Sequence, residues 1–349
     1  CLAGFEVTRI LWPMTTMKAA AMQSFGGPEK INISDLPVPA IGHGEMLVRM
    51  KSASINPIDW KTMLGKVKIL IQYPFPLVPG SDGAGVVETI GPGVSRFKVG
   101  DRVYFRPGKD RIGTFSQYFV VRETEAAAFP SKLSFDEAAS LPLAGLTSWQ
   151  ALDLANVKAG DQVLIHAGAG GVGALAVQLA RARGAIVTAT CSAKNADFVR
   201  SLGATNIIDY RTEDYTSGGK RFDFVFDTQG GKETNRCMDV LTPGGMVVSI
   251  ANPPDPIEAV KFGRPWYVKL LLQLANIAPN RAARKRGVQY RALLMDASSS
   301  QLEEMAKLIE KGSLKPVIDK IFPFAETRDA IAYQMLGHSR GKVIIHIED

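Results

Sequence analysis

The sequence predicts an α/β protein that combines a doubly wound, six-stranded parallel sheet with a second, mainly antiparallel β domain. Three observations lead to this fold class. Residues 17–143 contain strand patterns separated by Gly and Pro, strand and helix patterns alternate after residue 146, and a glycine-rich turn joins the first of these later strands to a helix. Alternating strands and helices build parallel sheets, whereas short strands between turn residues build antiparallel ones.

The glycine-rich turn lies between an apolar strand pattern, residues 163–165, and a helical pattern, residues 174–182. A strand, a tight loop and a helix N-terminus in this order can hold the pyrophosphate of a dinucleotide. We expect Gly168 to permit the sharp turn, Gly170 to let the backbone approach the phosphates, and Gly173 to bring the helix close to the strand. A plain surface loop is the alternative. The predicted cofactor loop comprises Gly168, Gly170, Gly171, Val172 and Gly173.

The strand pattern that follows, residues 185–190, lacks the acid that usually binds the ribose hydroxyls of NAD at this point. Ser192 and Lys194 stand there instead, and the nearest acid, Asp197, falls in the next helical pattern. Because a cation attracts a 2′-phosphate and an acid repels it, these residues favour NADPH over NADH. The alternative is a surface lysine without a ligand.

The composition is that of an ordinary soluble protein, with 349 residues, 46% of them hydrophobic, and enough chain for two cores. No apolar run approaches the ~20 residues of a membrane helix. The cysteines Cys1, Cys191 and Cys237 are too scattered for a metal site or a disulfide framework, which indicates a reducing compartment and a cytoplasmic location. The histidines form no zinc motif, and His166 is interpreted as a packing residue.

The net charge of +7 comes from one segment, residues 261–291, which holds eight Lys or Arg and no acid. The rest of the chain is close to neutral, so the charge does not predict a nucleic-acid partner. Within this segment an apolar stretch, residues 266–275, precedes the cluster of residues 281–286. We interpret the segment as a lobe over the substrate cleft, with its apolar face buried; contact with an anionic membrane surface is the alternative.

The domain limits follow from these patterns. Residues 1–16 are interpreted as an added or upstream tail, residues 17–145 and 297–349 as the β domain, and residues 146–296 as the dinucleotide-binding domain. The parallel sheet is predicted from strand patterns at residues 162–166, 185–190, 206–210, 222–228, 245–251 and 288–295.

Several motifs of the chain together point to one family: residues 56–59, Tyr73, 79–85, 99–103, 145–147, 167–173 and 312–316. In these motifs the chain resembles the zinc-free, quinone oxidoreductase-like group of the medium-chain dehydrogenase/reductase superfamily, including its 2-alkenal reductases. This resemblance implies a Rossmann domain, a GroES-like catalytic domain and a homodimer. Zinc-dependent relatives carry Cys and Gly-His-Glu where this chain has Asn56 and Gly80-Ser81-Asp82, so no metal is expected.

The resemblance also implies site residues. Lys194, Tyr210 and Arg340 match positions that contact the 2′-phosphate of NADPH in this group. Asn56 matches an asparagine of the nicotinamide site, and Thr147 matches a threonine that contacts the carboxamide.

Two further candidates are less specific. Tyr73 matches an active-site tyrosine that could donate its hydroxyl, with a core tyrosine as the alternative reading. Lys61 follows the Asn-Pro-Ile-Asp motif as a lysine does in alkenal-reducing relatives, where it could touch cofactor phosphate or substrate oxygen. Asp59 and Asp82 are interpreted either as part of this site or as partners of loop backbone.

The expected function is hydride transfer from NADPH to small quinones or α,β-unsaturated carbonyls, whose electron-poor carbon needs only orientation and a polarised carbonyl. Two alternatives stay open. One is an enoyl-thioester reductase acting on acyl-CoA or a carrier protein, and the other is a non-catalytic NADPH-binding redox sensor.

Overall fold

The computed structural model describes residues 16–128, 130–219 and 221–348. The predicted tail therefore lies outside the described residues, except for Thr16, which begins the first strand. In chain order the strands are β1 (Thr16–Ala21), β2 (Asn32–Pro37), β3 (Glu45–Ile55), β4 (Gly83–Ile90), β5 (Arg102–Phe105), β6 (Tyr118–Arg122), β7 (Ala126–Ala128), β8 (Gln162–Ile165), β9 (Ile186–Cys191), β10 (Asn206–Asp209), β11 (Phe222–Asp227), β12 (Leu241–Ser249), β13 (Gln289–Ala292), β14 (Ile318–Pro323) and β15 (Lys342–His346). The α-helices are α1 (Pro57–Met63), α2 (Phe135–Ala139), α3 (Pro142–Leu154), α4 (Gly171–Ala182), α5 (Ala196–Leu202), α6 (Lys232–Asp239), α7 (Ile257–Lys261), α8 (Trp266–Arg286), α9 (Ser299–Glu310) and α10 (Thr327–Met335).

Strands β8 to β13 form the six-stranded sheet, with the order β10-β9-β8-β11-β12-β13 and every pair parallel. The predicted fold class is confirmed. The chain order reverses between β8 and β11, which makes their carboxyl ends the topological switch point where such sheets bind ligands. The strands are short and apolar because helices cover both faces of the sheet. Their buried side chains include Val163, Leu164, Ile165, Phe224, Val225 and Phe226.

The second sheet has seven strands in the order β14-β15-β3-β4-β5-β7, and β6 pairs with β3 off this path. All pairs except β14 with β15 are antiparallel. Strand β3 is the longest because alternating Met46, Val48 and Met50 fill the core beneath it. Strands β1 and β2 form a separate antiparallel ribbon.

The last part of the chain returns to the second sheet, as the strand patterns predict. Strand β15 pairs antiparallel with β3, opposite Ser52 to Ile55. Helix α9 lies between the two sheets: Leu302 and Met305 are buried in the core that α3 and α4 share, and the Tyr104 hydroxyl donates to the Leu302 carbonyl at 2.6 Å. Chain segments from both ends therefore meet at the cleft between the sheets.

The capping box predicted at residues 134–137 is present at the start of α2. The Glu137 backbone N–H donates to the Ser134 hydroxyl at 3.2 Å, and the Ser134 N–H donates to the Glu137 carboxylate at 2.9 Å. This reciprocal pair satisfies two backbone donors that the helix cannot.

The interpretation of residues 261–291 as a lobe with a buried apolar face is wrong. In α8 only Val268, Asn276 and Ala283 are buried, whereas Trp266 is 76% exposed and Leu274 is 54% exposed. The reason is that the helix contacts the molecule through one narrow side and carries more apolar residues than that side can cover.

Gly173→Ala tests the packing of the glycine loop. A Cβ at this position would lie 2.1 Å from the Ala167 carbonyl oxygen, so the loop and α4 must separate. We expect the free energy of unfolding of the cofactor-free protein to fall by about 2 to 4 kcal/mol in urea denaturation. Gly170→Ala is the matched control, because its Cβ would meet nothing nearer than 3.3 Å. Equal stability of the two variants would contradict this account.

Candidate active site

The glycine loop runs from the end of β8 to the start of α4 at the switch point. Ala167 takes a positive φ of 52°, and the Gly168 N–H donates to the Thr190 carbonyl at 2.9 Å, which fastens the loop to the end of β9. The sharp turn thus falls on Ala167 rather than on Gly168, a correction to the sequence analysis. Gly168 is needed for space instead, since a Cβ there would lie 2.9 Å from the Ala189 Cβ.

The loop ends at Gly170, the N-cap of α4, so the first N–H groups of α4 belong to Gly171, Val172 and Gly173. A helix N-terminus attracts anions because its first N–H groups lack intrahelical partners and the helix dipole is positive there. Gly173 lies so close to the Ala167 carbonyl that no side chain fits there, which lets the loop and the first turn of α4 pack together. This loop fits the pyrophosphate of a dinucleotide.

The second sheet contacts the glycine loop directly. Gly170 pairs with Gly341 in an isolated parallel bridge, and the side chain of the next residue, Lys342, passes Gly171. The Lys342 ammonium then donates to the Ile55 carbonyl at 3.0 Å and to the Asn56 side-chain oxygen. One buried side chain therefore spans the distance between the cofactor loop and the predicted nicotinamide site.

Asn56 is buried at the N-cap of α1 and uses both ends of its amide. Its oxygen accepts from Lys342, and its nitrogen donates to Asp82 at 2.9 Å. Asp82 also accepts from the Ser54 hydroxyl at 2.6 Å and from the Leu143 N–H, near the start of α3, at 3.1 Å. These contacts fix the orientation of the amide, because its oxygen faces a cation and its nitrogen faces a carboxylate.

Asp59 lies beside Asn56 and adds further hydrogen bonds to these contacts. Its carboxylate accepts from the Asn56 backbone N–H at 2.8 Å and from the Ser81 hydroxyl at 2.5 Å. Burial, with a smaller contribution from the nearby Asp82, raises the pKa of Asp59 to about 7, although Ser81 and Lys342 oppose the shift. Burial likewise lowers the pKa of Lys342. Asp59 and Asp82 thus bond side chains of the site as well as backbone, and together with Asn56 and Lys342 they form what we term the Asn56 cluster.

Tyr73 is half-buried, and its hydroxyl donates to the Lys109 carbonyl at 2.7 Å. Burial raises its pKa, so the phenol stays protonated near neutral pH. Arg106 lies within electrostatic reach of Tyr73, Asp59 and Asp82, and burial lowers its pKa. Its Nε is buried without a hydrogen-bond partner among the described residues.

Lys61 and Thr147 lie in helices that join the Asn56 cluster: Asn56 caps α1, and Asp82 bonds the backbone near the start of α3. Lys61 lies in α1 with its ammonium 5.8 Å from the centre of the Trp60 ring, and its pKa is lowered by burial and by Lys66. The Thr147 hydroxyl, buried in α3, donates to the Leu143 carbonyl at 2.7 Å and keeps its lone pairs for an incoming donor.

The residues predicted to contact a 2′-phosphate lie at the carboxyl edge formed by β9 and β10. Ser192 directly follows β9 and is buried, whereas Lys194, two residues later, is exposed. Tyr210 follows β10, whose last residue pairs with the end of β9, and it is 59% exposed. Arg340 reaches the same region from the second sheet, with its guanidinium 4.9 Å from the Phe198 ring of α5.

One acid also lies at this edge, which the sequence analysis did not weigh. The Asp209 carboxylate accepts from the Ala193 N–H at 3.2 Å and from the Arg211 N–H at 3.0 Å. These backbone donors neutralise part of its charge, and the side chain of Arg211 lies beside Tyr210.

A second polar cluster lies within the parallel sheet. His166, Asp227 and Cys237 are buried, with ligand-type atoms within 4.8 Å of one another, although the sequence showed no such grouping. The Asp227 carboxylate already accepts from the Gln229 and Gly230 N–H groups, and burial raises the pKa of Cys237 so that the thiol stays neutral. These partners favour a packing role for His166, whose Nδ1 is 3.6 Å from Asp227.

The positions that hold zinc in zinc-dependent relatives do not fit the metal here. Asn56 bonds Asp82 and Lys342, Asp82 also bonds Ser54, and Ser81 bonds Asp59, so their polar atoms are committed to one another. A cation such as Lys342 at the centre would also repel a metal ion.

Comparisons with known proteins agree with this geometry. Residues 42–131 match the model of the alcohol dehydrogenase GroES-like domain, and residues 202–345 match that of a zinc-binding dehydrogenase. A chloroplastic quinone-oxidoreductase homolog of Spinacia oleracea is 34% identical over 330 residues, covering 92% of this chain and 95% of the relative. The chain belongs to the medium-chain dehydrogenase/reductase superfamily, in its quinone oxidoreductase-like group.

Two further relatives have the same overall organisation. A chloroplastic NADPH-dependent alkenal/one oxidoreductase of Arabidopsis thaliana is 32% identical, covering 95% of this chain and 79% of the relative. The quinone oxidoreductase of Coxiella burnetii superposes with a TM-score of 0.83 at 33% identity, covering 96% of this chain and all of the other. As a member of this group, the protein is an oxidoreductase with a nicotinamide cofactor.

The cytoplasmic location predicted from the cysteines is contradicted by these relatives, because both plant proteins carry chloroplastic names. Unpaired, scattered cysteines indicate only a reducing environment, and such an environment is not confined to the cytosol.

Lys342 and Arg106 are site residues that the sequence did not predict. A signal for Lys342 was present, since a lysine at the head of the apolar run Val343 to Ile345 must either snorkel or find buried partners. No comparable pattern marked Arg106.

Lys342→Met tests the role of the buried ammonium. Its removal leaves the Asn56 oxygen unpaired and the two carboxylates without their cation, so we expect a loss of about 3 to 5 kcal/mol in the free energy of unfolding. Lys315→Met, at an exposed lysine, is the control. Chemical denaturation of both variants provides the measurement, and a loss below about 1 kcal/mol for Lys342→Met would show that the cluster needs no cation.

Asp59→Asn tests the raised pKa of Asp59. Because the folded pKa of about 7 exceeds the unfolded value of 3.8, the proton on Asp59 stabilises the fold at low pH, and this contribution is lost as the pH rises through about 7. Asparagine cannot ionise. The melting temperature of the variant minus that of the wild type should therefore become more positive from about pH 5 to about pH 8. A difference that stays constant, or falls, contradicts the assignment.

Proposed function

We propose that this oxidoreductase uses NADPH, without zinc, to transfer hydride to quinones or α,β-unsaturated carbonyls. The observation that carries the proposal is the contact between the glycine loop and the Asn56 cluster through Gly341 and Lys342. A dinucleotide whose pyrophosphate lies on the glycine loop would have its nicotinamide beside a polar, metal-free site. When bound, NADPH supplies a hydride to an electron-poor carbon of the substrate.

The preference for NADPH rests on the cations at the edge of β9 and β10. Lys194 and Arg340 approach this edge from different domains, and neither has an acidic partner among the residues that the structure describes. Ser192 and Tyr210 add hydroxyl groups at the same edge. Asp209 opposes an anion there, but its carboxylate is bonded to two backbone N–H groups. The printed name of the Arabidopsis relative, an NADPH-dependent enzyme, supports the same cofactor.

The chemical step requires polarisation of a carbonyl oxygen that becomes an enolate or phenolate. We assign Lys61, a half-buried ammonium that has no carboxylate partner among the described residues, as the first donor toward this oxygen. Tyr73 is the second: its protonated hydroxyl would leave the Lys109 carbonyl, to which it donates in the structure, and donate to the substrate oxygen instead. Thr147 would accept a hydrogen bond from the carboxamide. Asn56 acts as a positioning residue, because its amide is already bonded at both ends. Water, or one of the donors, supplies the proton that completes the reaction.

The thioester alternative receives less support than quinones and alkenals. The curated relatives described above are named for quinone and alkenal substrates, and these share an activated carbon and a carbonyl oxygen. A small-molecule partner follows from this chemistry. The homodimer stays a prediction.

A substrate panel tests the proposal. The purified protein is mixed with NADPH and, in separate reactions, a benzoquinone, a short 2-alkenal and crotonyl-CoA, and the oxidation of NADPH is followed by absorbance. We expect turnover with the quinone or the alkenal. Turnover with crotonyl-CoA alone would move the function to enoyl-thioester reduction, and tight NADPH binding without turnover would indicate the sensor.

Lys194→Ala combined with Arg340→Ala tests the cofactor preference. Loss of two cations beside the 2′-phosphate should weaken NADPH binding by about tenfold or more, since each such contact contributes on the order of 1 kcal/mol. Binding of NADH, which lacks this phosphate, should stay unchanged. Titration calorimetry with both cofactors measures this, and Lys158→Ala, at a distant exposed lysine, is the control. An equal loss for both cofactors would contradict the assignment.

A further inference from the structure

The outer side of α8 is unusual because it is apolar and cationic at once. With about 3.6 residues per turn, Trp266, Leu270, Leu274, Ile277 and Arg281 share one side of this helix. All five are exposed, and the buried residues Val268, Asn276 and Ala283 occupy the opposite side. Arg284 and Lys285 continue the exposed side toward the end of the helix. We term this surface the outer face of α8, defined by Trp266, Tyr267, Leu270, Leu271, Leu274, Ile277, Arg281, Arg284 and Lys285.

The cations of the outer face are unpaired. In the described part of the chain, Arg281, Arg284 and Lys285 form no ion pair, although neighbouring Arg286 bonds Asp239. A pocket of 390 Å³ opens beside them, lined by Arg281, Arg284 and Arg291 together with one acid, Asp255. Three guanidinium groups around a concave surface suit a phosphate-bearing group.

The apolar part of the face is large for a surface in contact with water. Six large apolar or aromatic side chains on it are more than 40% exposed. Trp266 and Tyr267 contact each other edge to face at the N-terminal end, and such rings favour the boundary between water and lipid. Scattered exposed apolar residues are ordinary, but a contiguous patch marks an interaction surface.

We propose that the outer face of α8 binds the surface of an anionic lipid bilayer. Apolar side chains inserted at the headgroup boundary, beside cations that meet lipid phosphates, are the features of helices that lie in this interface. No described helix is both long and apolar enough to cross a bilayer, so the contact is peripheral. None of the hydrogen bonds that build the Asn56 cluster involves a residue of this face, and the proposal holds whichever substrate the site reduces.

A second copy of the chain fits the face less well. Residues 261–291 contain no acid, so two such faces in contact would desolvate their cations without supplying partners. An anionic bilayer supplies both the counter-charge and the apolar layer.

Vesicle flotation of the purified protein tests the proposal. Vesicles of phosphatidylcholine alone are compared with vesicles that contain about 30% phosphatidylglycerol, at low salt and at about 1 M salt. We expect binding to the anionic vesicles at low salt, much weaker binding to the neutral ones, and release by salt. The fluorescence of Trp266 should shift to the blue on binding, and Trp266→Phe should abolish that shift.

Two variants separate the contributions of charge and apolar contact. Arg281→Gln, Arg284→Gln and Lys285→Gln together should lower the partition coefficient by about a hundredfold, since each cation near an anionic surface contributes about a factor of five. Leu270→Ser, Leu274→Ser and Ile277→Ser should lower it by about tenfold or more. The matched control removes three exposed lysines elsewhere: Lys98→Gln, Lys158→Gln and Lys311→Gln. Thermal unfolding verifies that each variant is folded, as expected for exposed positions.

Three results overturn the proposal. The first is that the protein does not bind anionic vesicles. The second is that the control variant loses as much binding as the charge variant does. The third is that light scattering shows a dimer, the serine variant dissociates it, and no binding to vesicles is seen. The last result would assign the face to a second copy of the chain.

Discussion

The buried ammonium of Lys342 is the interaction on which the site depends. It lies where the glycine loop of one sheet meets the end of β3 in the other, and its partners are the Ile55 carbonyl and the Asn56 amide. A buried charge is tolerated only with partners, so this cation constrains everything around it. Asp82, and Asp59 when it is ionised, favour the charged form of Lys342, and Asp82 also binds the backbone at the start of α3. The cleft is therefore held by polar contacts from four chain segments.

This constraint has a chemical consequence. Members of the superfamily that use zinc place metal ligands where this chain places Asn56 and Asp82. Here the positive charge beside these two residues is the ammonium of Lys342. A fixed ammonium and fixed amide can orient a cofactor and substrate, but they leave the polarisation of a carbonyl to hydrogen-bond donors. Quinones and conjugated carbonyls suit such a site, because hydride transfer to them needs only modest stabilisation of the developing oxyanion.

The sequence and the structure agree best where local patterns decide the outcome. The alternation of apolar strands with helices predicted the parallel sheet, and the capping box of α2 appears as expected. Agreement is weaker where function depends on residues distant in the chain. Lys342 is 286 residues from Asn56, and no local pattern couples them. The outer face of α8 illustrates the opposite problem, because an apolar stretch does not reveal which of its sides the fold will cover.

By itself, the sequence determined the fold class, the glycine loop, the superfamily and the candidate residues around Asn56, because these depend on short-range periodicity, turn chemistry and motifs. Only the tertiary structure decided which polar groups share a buried space, that the sharp turn falls on Ala167, and that α8 turns its apolar side to the outside. The physical reason is that burial and pairing are properties of neighbours in space, and the pKa of Asp59 or the partners of Lys342 exist only once both sheets have come together.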